Sequence, residues 1–128
     1  MKTKSPTISV NIRDSLIMIH KNTLRLLGNT EYIQILVNPT EKTIVLCCST
    51  EDDHLAHHVK DEVFTNCKKH LRIHSQMFLR KLHKIYPEWI ERNTYKIPGE
   101  FISNLNVVKF YINDSFVSTR YGGECSNE

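Results

Sequence analysis

The stretch Ser15-Leu16-Ile17-Met18-Ile19-His20-Lys21-Asn22-Thr23-Leu24-Arg25-Leu26-Leu27-Gly28 decides how the chain is read. Leu16 to Ile19 is an apolar run of strand length. From Asn22 onward Leu24, Leu26 and Leu27 fall at helical spacing, and Gly28-Asn29 supplies a pair at ease in the left-handed region where helices stop. A strand, one or two helical turns and a stop are therefore expected. The pattern recurs. Leu71-Arg72-Ile73-His74 stands beside Ile17-Met18-Ile19-His20, and Leu79-Arg80-Lys81-Leu82 beside Leu24-Arg25-Leu26-Leu27, at an offset of 54 to 55 residues.

Working outward, Ile8, Val10 and Ile12 alternate with polar residues at the period of a half-buried strand, and Asp14-Ser15 makes a turn. Tyr32 to Val37 and Thr43 to Cys48 flank Asn38-Pro39 and read as a hairpin. His70 to His74 reads as a short strand. Ser75 caps a helix to about Tyr86, with Phe78, Leu82, Ile85 and Tyr86 on one face and Arg80, His83 and Lys84 opposite; Pro87 ends it. Thr94 to Ile97 and Val107 to Ile112 are strands on either side of a connection that begins Pro98-Gly99. The order strand-helix-strand-strand thus occurs twice. Between the copies, Ser49 or Thr50 as cap, Glu51, Asp52 and Asp53 in a first turn, and Leu55, Val59 and Val63 every four residues predict a helix from Thr50 to about Asn66.

The fold class expected is α+β: a duplicated strand-helix-strand-strand unit forming a small swapped-hairpin-like β-barrel with an intervening helix. Residues 1–7 form a flexible arm, 8–48 the first repeat, 49–69 the connecting helix, 70–117 a second, diverged repeat and 118–128 a frayed tail. The chain has 128 residues, 40% hydrophobic and 24% charged, with only 4 Gly and 4 Pro. That balance excludes a disordered or collagen-like chain, and the length is one domain's worth, so a large multidomain enzyme is not expected. No apolar run reaches the roughly 18–20 residues that span a bilayer, and the first residues lack the apolar core of a signal peptide. Cys47 and Cys48 are neighbours in a strand and point to opposite faces, which argues against a disulfide framework. A cytoplasmic, reduced protein is expected, with no membrane partner.

The net charge is +3, and seven of the basic residues lie between Lys60 and Lys84 against only Asp61 and Glu62. Such a basic island gains affinity for a polyanion by releasing its condensed counterions. An ordinary solvated helix face is the blander reading of the same charges.

Residues 15–28, with Tyr32 to Val37 and Lys42 to Leu46, resemble the AbrB/MraZ-type swapped-hairpin DNA-binding domains, in which a strand leads through an Ile-Pro-Lys corner to a one-turn helix ending Leu-Gly and two strands follow. The match covers about residues 8 to 48. The chain is also similar to short uncharacterised proteins of Gram-positive bacteria and their phages or mobile elements. His20 stands where proline is usual in the family and Asp14-Ser15 where a Gly-Arg pair is common; Arg13, one or two positions earlier, is the arginine available to that loop. The resemblance implies DNA binding and interlocked homodimers, although a tandem duplication satisfies the same barrel within one chain.

The expected function is a non-enzymatic DNA-binding protein, a transcriptional regulator of bacterial or mobile-element type, with double-stranded DNA as partner. Its candidate nucleic-acid-binding residues are Arg13, Lys21, Arg25, Lys68, Lys69, Arg72, Arg80 and Lys84. Arg25 and Arg80 hold equivalent repeat positions. The alternative is a phage-encoded interaction module or inhibitor that binds a host nucleic-acid-processing enzyme or defence protein. No cofactor is expected. His54 and His58 are four apart, and Cys67, His70 and His74 follow, but Leu55 stands where a zinc hydrolase of the His-Glu-x-x-His type carries its glutamate, and no finger spacing occurs, so no metal site is assigned. There is no nucleophile elbow and no glycine-rich phosphate loop. Trp89, Tyr86 and Tyr95 read as a core corner more than as a platform for stacking bases.

Overall fold

A computed structural model of the chain describes residues 6–59 and 70–118. Its strands are β1 (Thr7–Asn11), β2 (Leu16–His20), β3 (Tyr32–Asn38), β4 (Thr43–Ser49), β5 (His57–His58), β6 (His70–His74), β7 (Thr94–Ile102), β8 (Val107–Tyr111) and β9 (Phe116–Val117). Two α-helices lie among the described residues, α1 (Lys21–Leu26) after β2 and α2 (Gln76–Ile85) after β6, with one 3-10 turn at Ile112–Asp114.

All the pairings are antiparallel. The order across the sheet is β5-β3-β4-β8-β7-β1-β2-β6, with β9 added beside β7. This corrects the expected class and closure. The protein is mostly antiparallel β, one open sheet curled into a half-barrel, rather than an α+β barrel. β5 and β6 end the two sides of the strand path, and no pairing between them exists among the described residues. The alternation of apolar residues sets the concave face: Ile8, Val10, Ile17, Ile19, Ile33, Ile44, Leu46, Ile97, Val108 and Phe110 are all buried there with Leu24 of α1 and Leu79 and Leu82 of α2. Burying each such side chain contributes roughly 1.5–3 kcal/mol.

The helix expected from Thr50 does not form over the described part of that segment. Residues 51–56 are turns that lead into β5, and residues 60–69 lie outside the described residues. Short-range bonds from the side chains of the segment hold the turns instead, one of them to a backbone N–H. The Asp53 carboxylate accepts the Ser49 hydroxyl at 2.5 Å and the Leu55 N–H at 3.0 Å, and Asp52 accepts the Thr50 hydroxyl at 2.7 Å. Both carboxyls are held below their usual range, Asp53 chiefly by the Ser49 hydroxyl and Asp52 by the Thr50 hydroxyl. Of the periodic apolar residues Leu55 is 69% exposed, while Val59 is buried and donates its N–H to the Glu31 carbonyl, as a strand residue does.

The register of β2 with β6 pairs Leu16 with His74, Met18 with Arg72 and His20 with His70. The inner pairs read alike about Met18–Arg72, with Ile17–Ile73 on one side and Ile19–Leu71 on the other. α1 leaves from the His20 end of this ladder and α2 from the His74 end, which is the Leu16 end, so the helices depart about 14 Å apart at opposite ends. β7 needs a glycine at residue 99, because a Cβ there would run into the Lys109 carbonyl oxygen and the Phe110 ring. No helix among the described residues is long and apolar enough to cross a membrane.

Candidate nucleic-acid interface

The turn between β1 and β2 is built by its own side chains. Asn11 Oδ1 accepts the Asp14 N–H at 3.1 Å, the Ser15 N–H donates to the Ile12 carbonyl at 3.1 Å, and Ser15 takes a left-handed backbone with φ 51°. Arg13 is exposed at the tip. The Ser15 carbonyl accepts the N–H of Ser75 at 2.9 Å, and the Ser75 hydroxyl in turn caps α2 by accepting the Phe78 N–H at 3.3 Å. One hydrogen bond therefore fastens the first residue before α2 to the turn that carries Arg13, across 60 positions of sequence.

Leu79 and Leu82 anchor α2 in the core and fix which residues face outward. Arg80, Lys81 and Lys84 lie three, four and seven residues after Met77, and so share one exposed stripe with it. They line an open depression of about 840 Å³ together with His83 and Pro87. A second, smaller cavity of about 200 Å³ adjoins it, sharing Arg80 and His83, and is completed by Arg13, Ser15 and Gln76, with Ile12, Leu79 and Glu91 around it. The His83 ring is fixed by a 2.9 Å contact between its Nε2 and the Trp89 carbonyl oxygen. A carbonyl only accepts, so Nε2 carries the hydrogen. Trp89 is itself buried, donates its indole N–H to the Ser115 hydroxyl at 3.0 Å and stacks on Tyr95 at 5.2 Å. These aromatic residues are core, and they set the wall that carries His83 and Glu91.

Of the candidate residues, Arg13, Arg80 and Lys84 are brought to this one surface. No ion pair among the described residues engages any of the three, or Lys81. Arg72 lies on the outward face of β6, in a row that runs across Met18 and Ser9 to Lys96 of β7. Lys21 and Arg25 sit on α1 at the other end of the ladder, where Arg25 donates to the Asn22 side chain at 3.1 Å. Lys68 and Lys69 lie outside the described residues. The sequence reading counts Lys81 in the basic island without naming it as a candidate and omits Met77 and Gln76, although their spacing on the helix is legible; the place of Ser15 is tertiary and leaves no local signal.

The histidines are dispersed. His58 stacks on Tyr32 at 4.8 Å with Glu31 at 3.8 Å, and His54 shares no helix with it. His20 and His70 meet edge to face across the ladder at 5.2 Å. Among the described residues no group of three or more histidine, cysteine or acidic side chains is placed to hold a metal ion. Cys47 is half-buried and Cys48 exposed, both free thiols; burial pushes the Cys47 thiol up. No protein-family model, curated protein or solved structure matches the chain.

Proposed function

We propose that the protein is a non-enzymatic double-stranded DNA-binding protein, of the regulatory kind found in bacteria or their mobile elements, and that it meets the phosphate backbone with the outer surface of α2 and the β1–β2 turn. The observation that carries the reading is the convergence of Arg13 with Arg80, Lys81 and Lys84 around two adjoining depressions, without a carboxylate partner among the described residues. Clustered cations of this kind release counterions from a duplex and gain affinity without any base contact. α2 also carries no acidic residue in its first turn, so nothing of its own offsets the positive end of its dipole.

A second reading has its own support. Met77 is 73% exposed at the start of the cationic stripe, and Pro87 lines the same depression beyond the end of α2, apolar surface that suits a protein partner with acidic groups around it. The test is fluorescence anisotropy of the full chain with random-sequence duplex and single-stranded DNA over a salt series. The expected result is duplex preference and affinity that falls steeply as salt rises, a slope of about −0.9 for each phosphate engaged. No binding at low salt removes the DNA reading and leaves the protein-partner one.

A further inference from the structure

We infer that the 200 Å³ cavity between the β1–β2 turn and the start of α2 is a seat for a single phosphate oxyanion, a phosphodiester group if the nucleic-acid reading on which this rests is right. The cavity is lined by two arginines from elements far apart in the chain, Arg13 from the turn and Arg80 from the helix. It has room for about six or seven waters at roughly 30 Å³ each, which accommodates one hydrated phosphate. Guanidinium donors match phosphate oxygens in pairs, and Gln76 and Ser15 on the same lining are residue types that carry neutral donors. The arrangement is not a chance meeting of flexible side chains, because the Ser75 N–H to Ser15 carbonyl bond ties the two elements together at their backbones.

Among the described residues Glu91 is the one acidic side chain on the cavity wall. Its charge opposes an incoming anion, so it lowers the affinity of the seat and speeds release. The seat is accordingly built for weak, exchanging contact with one phosphate among many.

The experiment is a titration of the full chain with inorganic phosphate, reading the arginine Nε–H resonances by NMR, with chloride at matched ionic strength as the control. Arg13 and Arg80 are expected to shift along one saturable curve in phosphate and not in chloride. Arg80→Ala weakens the Arg13 response about tenfold, and Glu91→Gln tightens binding about threefold. Equal responses in phosphate and chloride, or an Arg13 response indifferent to Arg80→Ala, overturn the seat. The two readings fail separately. If the seat fails while duplex binding remains salt-steep, DNA binding stands without it. If the seat saturates while Arg13→Ala with Arg80→Ala leaves duplex affinity unchanged, the seat stands and its assignment to nucleic acid falls.

Discussion

The two ends of the β2–β6 ladder start from nearly the same sequence and finish with different surfaces. At one end α1 is six residues long, buries Thr23 and Leu24, and turns its Arg25 back on Asn22. At the other α2 is ten residues long, buries Leu79 and Leu82, and presents Arg80 beside Lys81 and Lys84. Both helices carry Leu-Arg followed by a leucine two or three residues on. The difference comes from length and from a neighbour. α1 stops at Gly28, with φ 90°, before it can offer a second outward turn, whereas α2 continues to Ile85 and is fastened to the turn that holds Arg13. A shared motif gives a shared core anchor; the site needs the extra turn and the tertiary contact.

The core half of that comparison is the most costly to break. Leu24 and Leu82 are both fully buried, so Leu24→Ala and Leu82→Ala are each expected to lower unfolding stability by about 2–5 kcal/mol. Urea denaturation checks this, and a loss below about 1 kcal/mol at one end only would show that the two anchors are not alike. The functional half comes next. Arg80→Ala with Lys84→Ala is expected to weaken duplex binding about tenfold at moderate salt and to flatten the salt slope by about two, while Lys21→Ala with Arg25→Ala costs less than about threefold. Equal losses at the two ends would assign the α1 surface to the same interface.

A smaller effect isolates the tie between the elements. Ser75 caps α2 through its hydroxyl, and its backbone, which a side-chain change leaves in place, holds the bond to Ser15. Ser75→Ala is therefore expected to cost about 1 kcal/mol of stability with duplex affinity at low salt held within about twofold. A larger loss of affinity than of stability would mean that the cap, and not only the backbone bond, orients Arg80.

How much of this was legible follows the range of each cause. β1, β2, the β3–β4 hairpin, β6 and the start of α2 under Ser75 are written in periods, turns and caps that act over a few residues, and the sequence reading places them within a residue or two. Two features lay beyond it. The Thr50 to Asn66 helix looked sound by apolar spacing, yet Asp52 and Asp53 accept from Thr50 and Ser49 and settle the described part as turns. The openness of the sheet is likewise a property of which strands meet at its ends, β5 and β6, and no local pattern encodes it. For the site, Arg80 and Lys84 were visible as the polar face of an amphipathic helix, and Arg13 only through a family resemblance. Their meeting depends on the Ser75–Ser15 bond, which no spacing announces.

The smallest expected effect lies in the α1 half, where β3 leaves the helix and β5 pairs with its first residues, Tyr32 with His58 and Ile33 with His57. Burial holds the His57 imidazole below its ordinary value, so the folded state resists protonating it. Above about pH 6.5 the ring is neutral in both folded and unfolded chains and its contribution is complete. As pH falls, the unfolded chain takes up the proton first, and stability is lost until the folded ring titrates as well. His57 is only half-buried, so the loss is less than about 1 kcal/mol. Urea midpoints at pH 7.5 and pH 5 should therefore differ more for the parent protein than for His57→Gln. Equal shifts in both would place the acid sensitivity elsewhere. A shift confined to amide exchange in β5 and the start of β3 would instead show that this strand pair opens on its own, while the α2 half, with Arg80, Lys81 and Lys84, stays closed.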